Sequence, residues 1–468
     1  MIFHPRDTVN TSGKFDLPRE AYATAHPCLN KNIIKEFWHN FTFGSSTLSI
    51  RDGKELIFKV GDAIALPLDS CDYSINVDNS GICILAKDEK SLAQGYMTLL
   101  DRFYATDGDN GLLTVIDCCK IKDKPAVTNR MVHFCVFPET ELWELQRFIR
   151  FCGALKYTHI VLEFWGMLRY DCLKELSWEN AFTKEQIKPL IMEANDLGLE
   201  IIPMFNQWGH ASAGRVMHGK HVVLDQNPAL QTYFSEDGWC WDIRKPKVKA
   251  LLRQIRNELT DLCGRGSYFH IGCDEAYNFR FTKENMDMIS GFINEVSDEM
   301  SQQNRRVIVW GDMFLYRHPH YNSRNSYTCN CPTKEAEEYM LKSLSRKVVV
   351  ADWQYDAREK PVETVSTFTK EGLDCLLCPW DRGDAMTNAS LSTVREQSLM
   401  GFMHTTWHTL SRGMPYVLIT AVSGFDGVEI WGVTAMCTHT ASLLRKVMIV
   451  KGDYRKAGWS KFQVDSLW

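Results

Sequence analysis

Asp274 and Glu275 stand side by side at the end of a short apolar run, His270-Ile-Gly-Cys-Asp-Glu275. Adjacent carboxylates repel, and in a partly buried site that repulsion raises the pKa of one of them. A carboxyl kept protonated near neutral pH is what a general acid needs. The plainer reading of such a pair is that one member caps the following helix. The residues at the ends of the neighbouring runs decide between the two.

Those ends are polar in a consistent way. The run from Arg130 offers that arginine and His133; the run from Thr158 ends in Glu163 and Trp165. Asn206-Gln-Trp-Gly-His210 closes another, and Trp310-Gly-Asp312 the next. Asp352-Trp353-Gln-Tyr355, Trp380-Asp381, and His404 with Trp407 and His408 complete the set. Carboxylates and indoles dominate, and phosphate-cradling glycines are scarce. Carboxylates move protons at a glycosidic oxygen, and indole faces pack against a pyranose ring, so the set suits a sugar. Individual members have plainer uses. His210 reads equally well as a satisfied structural histidine. Trp165, Trp208, Trp310 and Trp380 read as core or loop support as readily as sugar contacts, Asp312 and Asp381 as helix caps as readily as ligand contacts, and at most one of His404 and His408 faces a site.

The elements that must position these residues alternate. Eight short β-rich runs begin near Arg130, Thr158, Leu199, Tyr268, Arg306, Lys347, Leu373 and Gly401. Helical patterns lie between them. Thr183-Lys-Glu-Gln186 is a capping box, Thr282 and Thr333 open similar segments, and the stretch from Lys247 to Leu262 has a 3.6-residue period. Near-continuous apolar strands alternating with helices imply a parallel sheet covered by helices. Eight units over about 320 residues fit a (β/α)8 TIM barrel, which runs to about 250 residues and more with insertions. No GxGxxG follows an early strand, so an open doubly wound sheet lacks support. The barrel is expected over residues 126–468, preceded by a small α/β domain over 1–125. In that domain the segments 48–60, 73–86 and 112–121 read as strands, the second broken at Asn79-Ser-Gly81. Lys90–Tyr104 reads as an amphipathic helix through Leu92, Tyr96, Leu99 and Phe103.

Composition narrows the function classes. A 468-residue chain with 45 % hydrophobic and 24 % charged residues is ordinary globular protein. A net charge of −5 gives no reason to expect nucleic acid or an anionic membrane as partner. No apolar run reaches the ~18 residues of a membrane span. The 16 cysteines lie within strand and helix patterns and lack paired CxxC spacing, so they read as reduced and unmetallated. With no leader pattern at the N-terminus, the expected location is the cytoplasm.

His270-Ile-Gly-Cys-Asp-Glu275 resembles the His-x-Gly-x-Asp-Glu signature of glycoside hydrolase family 20, the β-N-acetylhexosaminidases. The preceding domain, the strand ending in Gly209-His210 and the strand ending in Trp407 resemble that family in order and spacing. His270 to Tyr277 is most similar to the branch that includes hexosaminidase D. The resemblance implies an exo-acting retaining enzyme on β-linked GlcNAc or GalNAc, with a glycan or amino-sugar substrate and no cofactor or metal. It implies Glu275 as general acid/base and Asp274 as partner of the substrate acetamide. Arg130 would bind ring hydroxyls, and His210 and Glu163 would form a supporting pair behind the acid. Trp353 and Trp407 would wall the acetamide pocket, with Tyr355 donating to the acetamide oxygen. The chain departs from the family at Trp208, where proline is usual, at Glu163, where aspartate is usual, and at His408, where the family continues toward a glutamate. Two other classes fit the residues. One is a metal-dependent barrel hydrolase using His133, His210, His270 and Asp312, although the first strand carries a single histidine. The other is a silent sugar-binding barrel, which would not need the Asp274-Glu275 pair.

Overall fold

The computed structural model describes residues 2–449 apart from 24–26, 51–57, 62–70, 110, 212–213, 216–219, 317–325 and 408–409. The first body is a mixed sheet built from β1 (Asp7–Asp16), β2 (Glu20–Ala23), β3 (Thr47–Ile50), β4 (Phe58–Gly61), β5 (Tyr73–Asp78), β6 (Gly81–Ala86), β7 (Tyr104–Gly108) and β8 (Gly111–Asp123). Its order is β1-β8-β5-β6-β4-β2-β3, with β7 on β8. Alternate residues of β5, namely Tyr73, Ile75 and Val77, are buried, as a sheet with one covered face requires. The helix Glu89–Asp101 lies on that face through Leu92, Tyr96 and Leu99, and the Asp88 side chain caps it by accepting from Ser91 N at 2.7 Å. The expected strand at 48–60 falls partly outside the described residues. The strands Asp7–Asp16 and Glu20–Ala23 and the helix Asn32–Phe41 add to the expected elements.

The second body is a closed barrel of eight parallel strands: β9 (Asn129–Cys135), β10 (His159–Glu163), β11 (Glu200–Met204), then, after the small hairpin β12 (Gly214–Arg215) and β13 (Lys220–His221), β14 (Tyr268–His270), β15 (Arg306–Trp310), β16 (Val349–Asp352), β17 (Asp374–Leu377) and β18 (Gly401–His404). All eight expected runs form it. Thr183, Thr282 and Thr333 cap the helices that follow them.

Strand alternation divides the barrel residues into two cores. Met131, Val161, Ile202, Met204, Ile308, Trp310, Val349, Ala351, Leu376 and Met403 fill the interior as one cluster. Their neighbours, such as Val132, Ile160, Leu162, Val309, Val350 and Leu377, pack outward against the helices. The inward set, continued two residues at a time past the strand ends, leads to His133, Glu163, Asn206, Asp312, Trp353 and Trp407. The fold thus delivers one side-chain row per strand to the carboxyl-terminal mouth.

None of the sixteen cysteines is in a disulfide. Among the described residues no helix is long and apolar enough to cross a membrane.

Candidate active site

Strand β14 is short because its sequence turns inward after His270. Gly272, Cys273 and Glu275 all have positive φ, at 66°, 75° and 51°. A Cβ at Gly272 would meet Asn206 Oδ1 at 1.3 Å, so only glycine allows that approach. The facing loop has the same demand: a Cβ at Gly209 would lie 1.9 Å from the Asp274 carbonyl oxygen. His210 follows with φ 50°, and Trp165 and Trp407, at the mouth on other strands, have φ 40° and 45°. Left-handed backbone at non-glycine residues costs energy and is retained where the surroundings enforce it. Here it gathers at the carboxyl ends of the barrel strands.

The result is a compact acidic cluster. His210 Nδ1 lies 3.2 Å from Asp274 Oδ2 and 3.7 Å from Glu275 Oε2. Asp274 is buried, and its other oxygen, Oδ1, has no hydrogen-bond partner among the described residues. Burial works against a charged His210 ring, but Asp274 and Glu275 override it and lift its pKa to about 9. Burial also raises the Glu275 carboxyl above the usual range. His210 pulls it back, Asp274 pushes it further, and the nearby Tyr277 hydroxyl lowers it.

Asp312 sits behind this cluster. Its Oδ2 accepts from Glu275 N at 2.9 Å and from Asn330 Nδ2 at 2.7 Å, and its Oδ1 accepts from Trp353 Nε1 at 3.2 Å. Burial, reinforced by the charge of Asp274, raises its pKa to about 7. One side chain therefore ties the Glu275 backbone to a wall tryptophan. The wall continues through Tyr355, whose ring centroid is 5.2 Å from that of Trp353. Trp407 Nε1 donates to Tyr355 Oη at 2.8 Å, and the Thr405 hydroxyl lies 3.0 Å away. The single Thr405 hydroxyl proton is shared between Tyr355 Oη and the Pro379 carbonyl, 3.1 Å away; when it goes to Tyr355, the phenol O–H is left to give to a ligand. Trp353, Tyr355 and Trp407 are half-buried.

Glu163 lies in the floor. Its Oε2 is 3.1 Å from His133 Nε2 and accepts from Cys135 Sγ at 3.3 Å; its Oε1 accepts from Asn206 Nδ2 at 3.0 Å. Asn206 in turn accepts from Cys273 N at 3.2 Å, which links the floor to the turn carrying the carboxylates. The expected pairing of Glu163 with His210 is thus replaced by two pairs, Glu163 with His133 and Asp274 with His210. The charge of Glu163 still reaches His210 and helps to raise its pKa.

Arg130 is corrected outright. It is fully buried at the opposite end of the barrel, where its guanidinium donates to the carbonyls of Val127, Thr128 and Lys156 at 2.6–3.1 Å. It packs over Phe425, 5.0 Å from the ring centroid. As the neighbour of inward-facing Met131 it belongs to the outward row and cannot reach the mouth. Arg130→Met is expected to lower the unfolding free energy by about 2–4 kcal/mol, since several buried carbonyls lose a charged donor. Denaturant unfolding measures this, and the KM of the folded variant should be unchanged. A raised KM with unchanged stability would return Arg130 to the sugar.

Other candidates divide similarly. His270 Nδ1 accepts from Gly272 N at 3.0 Å, and burial holds the ring neutral. His404 pairs with Thr420 at 2.9 Å, and burial depresses its pKa to about 3. Trp208 packs on Phe279 and Trp310 on His270, both buried. His408 and Thr409 lie outside the described residues. The metal-hydrolase set His133, His210, His270 and Asp312 does not converge: His133 groups with Cys135 and Glu163, and His210 with Asp274 and Glu275.

The sequence reading missed two aromatic residues. Trp239 stacks on His210, with centroids 5.0 Å apart and planes at 10°, and its Nε1 donates to Glu275 O at 2.6 Å. Tyr277 stacks on Trp239 at 5.9 Å and is exposed. The signal for Trp239 was a turn, Asp237-Gly238, in which Asp237 Oδ1 accepts from Trp239 N at 3.1 Å.

Residues 161–382 match the model of the glycosyl hydrolase family 20 catalytic domain. The chain is similar to a beta-hexosaminidase of Porphyromonas gingivalis, with 23 % identity over 293 residues, covering 54 % of this chain and 37 % of that protein. It is also similar to a lacto-N-biosidase of Bifidobacterium bifidum, with 21 % identity over 239 residues, covering 47 % and 19 %. The chain thus spans well under half the length of these curated relatives. Among solved structures, the fold resembles a β-N-acetylhexosaminidase of Streptomyces coelicolor, with TM-score 0.69, 15 % identity and 96 % of each chain covered. It also resembles an exo-β-N-acetylglucosaminidase of Vibrio harveyi, with TM-score 0.70, 14 % identity, and 95 % and 77 % covered.

Proposed function

We propose that this chain is a member of glycosyl hydrolase family 20, whose catalytic-domain model residues 161–382 match, and that it acts as a retaining exo-β-N-acetylhexosaminidase. Its substrates are glycans ending in β-linked GlcNAc or GalNAc. The observation that carries this reading is the Asp274–Glu275–His210 cluster, with one Asp274 oxygen buried and without a hydrogen-bond partner among the described residues, beside an acid held above its usual pKa.

Glu275 protonates the departing glycosidic oxygen and later deprotonates water. The nucleophile is the substrate's own 2-acetamido oxygen, the exception that this family makes to the usual carboxylate pair. That oxygen attacks C1, the C1–O bond breaks, and an oxazolinium ion forms. Asp274 Oδ1 accepts from the acetamide N–H, and its charge complements the cation. Protonated His210 holds the other oxygen. Trp353 and Trp407 wall the acetamide, and Tyr355 donates to its oxygen, which fixes the attacking geometry. Glu163 supports the floor through Asn206. Asp312 holds the Glu275 backbone and Trp353 in one frame. The His270–Tyr277 stretch supports the hexosaminidase D-like branch, and sixteen cysteines outside disulfides favour a reducing compartment such as the cytoplasm.

A panel of chromogenic β-GlcNAc, β-GalNAc, β-glucoside and β-galactoside substrates tests the reading. Turnover confined to the N-acetylated pair is expected; equal rates on glucoside and GlcNAc would overturn it. Because every step uses side chains or the substrate, dialysis against a chelator is expected to leave the rate unchanged. A loss restored by zinc or manganese would favour the metal-dependent hydrolase.

A further inference from the structure

His133, Cys135 and Glu163 are all buried, and their donor atoms converge. The sequence hides this because the ligands come from two strands. Parallel pairing of β9 and β10 sets Cys135 opposite Glu163, and His133 is two residues back on the same inward row. The three separations are 3.1 Å for Nε2 to Oε2, 3.3 Å for Sγ to Oε2 and 3.6 Å for Sγ to Nε2. Tetrahedral zinc with bonds of about 2.0–2.3 Å needs ligand-to-ligand edges of about 3.3–3.8 Å. A shift of about 0.3 Å therefore opens the triad to the ion.

We propose that His133, Cys135 and Glu163 form a zinc site in the floor of the barrel mouth, with a water as fourth ligand. The donor set of imidazole, thiolate and carboxylate suits zinc and disfavours magnesium or calcium. Charge also favours it. One thiolate and one carboxylate cancel the ion's two positive charges, so a neutral unit sits among apolar walls. Binding forms a Zn–S bond and releases the thiol proton to solvent. It forms a Zn–N bond at Nε2, with the imidazole proton moved to Nδ1, and a Zn–O bond at Oε2. Oε1 stays with Asn206 Nδ2. Without the ion, Glu163 Oε2 holds the ring proton at Nε2; His133 Nδ1 has no hydrogen-bond partner among the described residues and is free to take that proton when the ion binds. The lack of an outer partner also makes the site exchangeable rather than permanent. Cys135 packs with Phe137, Trp165 and Trp407 at the strand ends. The site takes no part in proton transfer at Glu275, so it is compatible with chelator-insensitive turnover.

Cobalt spectroscopy tests the proposal without reference to activity. The full chain, freed of metal with a chelator, is titrated with Co2+. A near-ultraviolet thiolate-to-cobalt charge-transfer band should appear, saturate at a single equivalent and collapse on adding Zn2+. Cys135→Ser should abolish it. The second cluster, His210 with Asp274 and Glu275, holds no sulfur, so cobalt bound there gives no such band. Absence of the band in the wild type, or its persistence in Cys135→Ser, would overturn the assignment. X-ray absorption on the zinc-loaded wild type needs no variant: one sulfur with nitrogen and oxygen neighbours is expected, and an all-nitrogen/oxygen shell would refute it.

Discussion

Glu275→Gln should lower kcat by about 10²–10⁴-fold on substrates with poor leaving groups and spare those with very good ones. A departing alkoxide needs a proton; a nitrophenolate does not. Glutamine keeps the size of the side chain and leaves the backbone N–H on Asp312, so the frame should survive. The pH dependence supplies a second signature. A general acid works while protonated, so kcat/KM should fall as pH rises through the raised pKa of Glu275. His210 is lifted to about 9 by these same carboxylates, so its charge is tied to theirs. Asp312, at about 7, is coupled to the same charges, so the limb belongs to the group of carboxylates rather than to one residue. In Glu275→Gln the remaining rate should lose that limb. Equal losses on both leaving-group classes, with the limb intact, would move the acid elsewhere.

Asp274→Asn should slow N-acetylated substrates by about 10²–10³-fold, the scale of losing one preorganised electrostatic contact. The loss has two sources. The amide no longer carries the charge that complements the oxazolinium, and its NH2 group can face the substrate N–H as donor against donor. Protonated His210 would also lose its counter-charge, so its pKa should fall from about 9. Titration of the His210 ring by NMR in wild type and variant measures that fall. An unchanged rate together with an unchanged His210 titration would remove Asp274 from the mechanism.

Much of this was legible in the sequence. The eight strand runs, the Thr183, Thr282 and Thr333 caps and the helix under Leu92, Tyr96 and Leu99 follow from periodicity and cap chemistry, both local properties. The convergence of Asp274, Glu275, His210, Trp353, Tyr355 and Trp407 follows from strand ends sharing one mouth. The failures have physical causes. Arg130 was read from a family position without its parity, yet it neighbours inward-facing Met131 and so lies in the outward row, as His404 does beside Met403. Glu163 and His133 pair across a strand register that one sequence does not display. Trp239 stacks on His210, and Tyr277 on Trp239, from loops, where no period announces a direction. Asp312 read as a helix cap as readily as a ligand contact; its carboxylate accepts a backbone N–H from Glu275 rather than from a helix.

The central claim is that the substrate's acetamide oxygen is the nucleophile, and its electron density is the direct handle on it. A series of aryl β-N-acetylhexosaminides with zero to three fluorines on the acetyl methyl should show kcat/KM falling steeply with each fluorine, because fluorine withdraws charge from the attacking oxygen. A thiazoline mimic of the intermediate should inhibit the same enzyme strongly. A flat response across the series, with a fluorosugar left covalently bound to the chain in intact mass spectra, would contradict the account and place a protein carboxylate at C1.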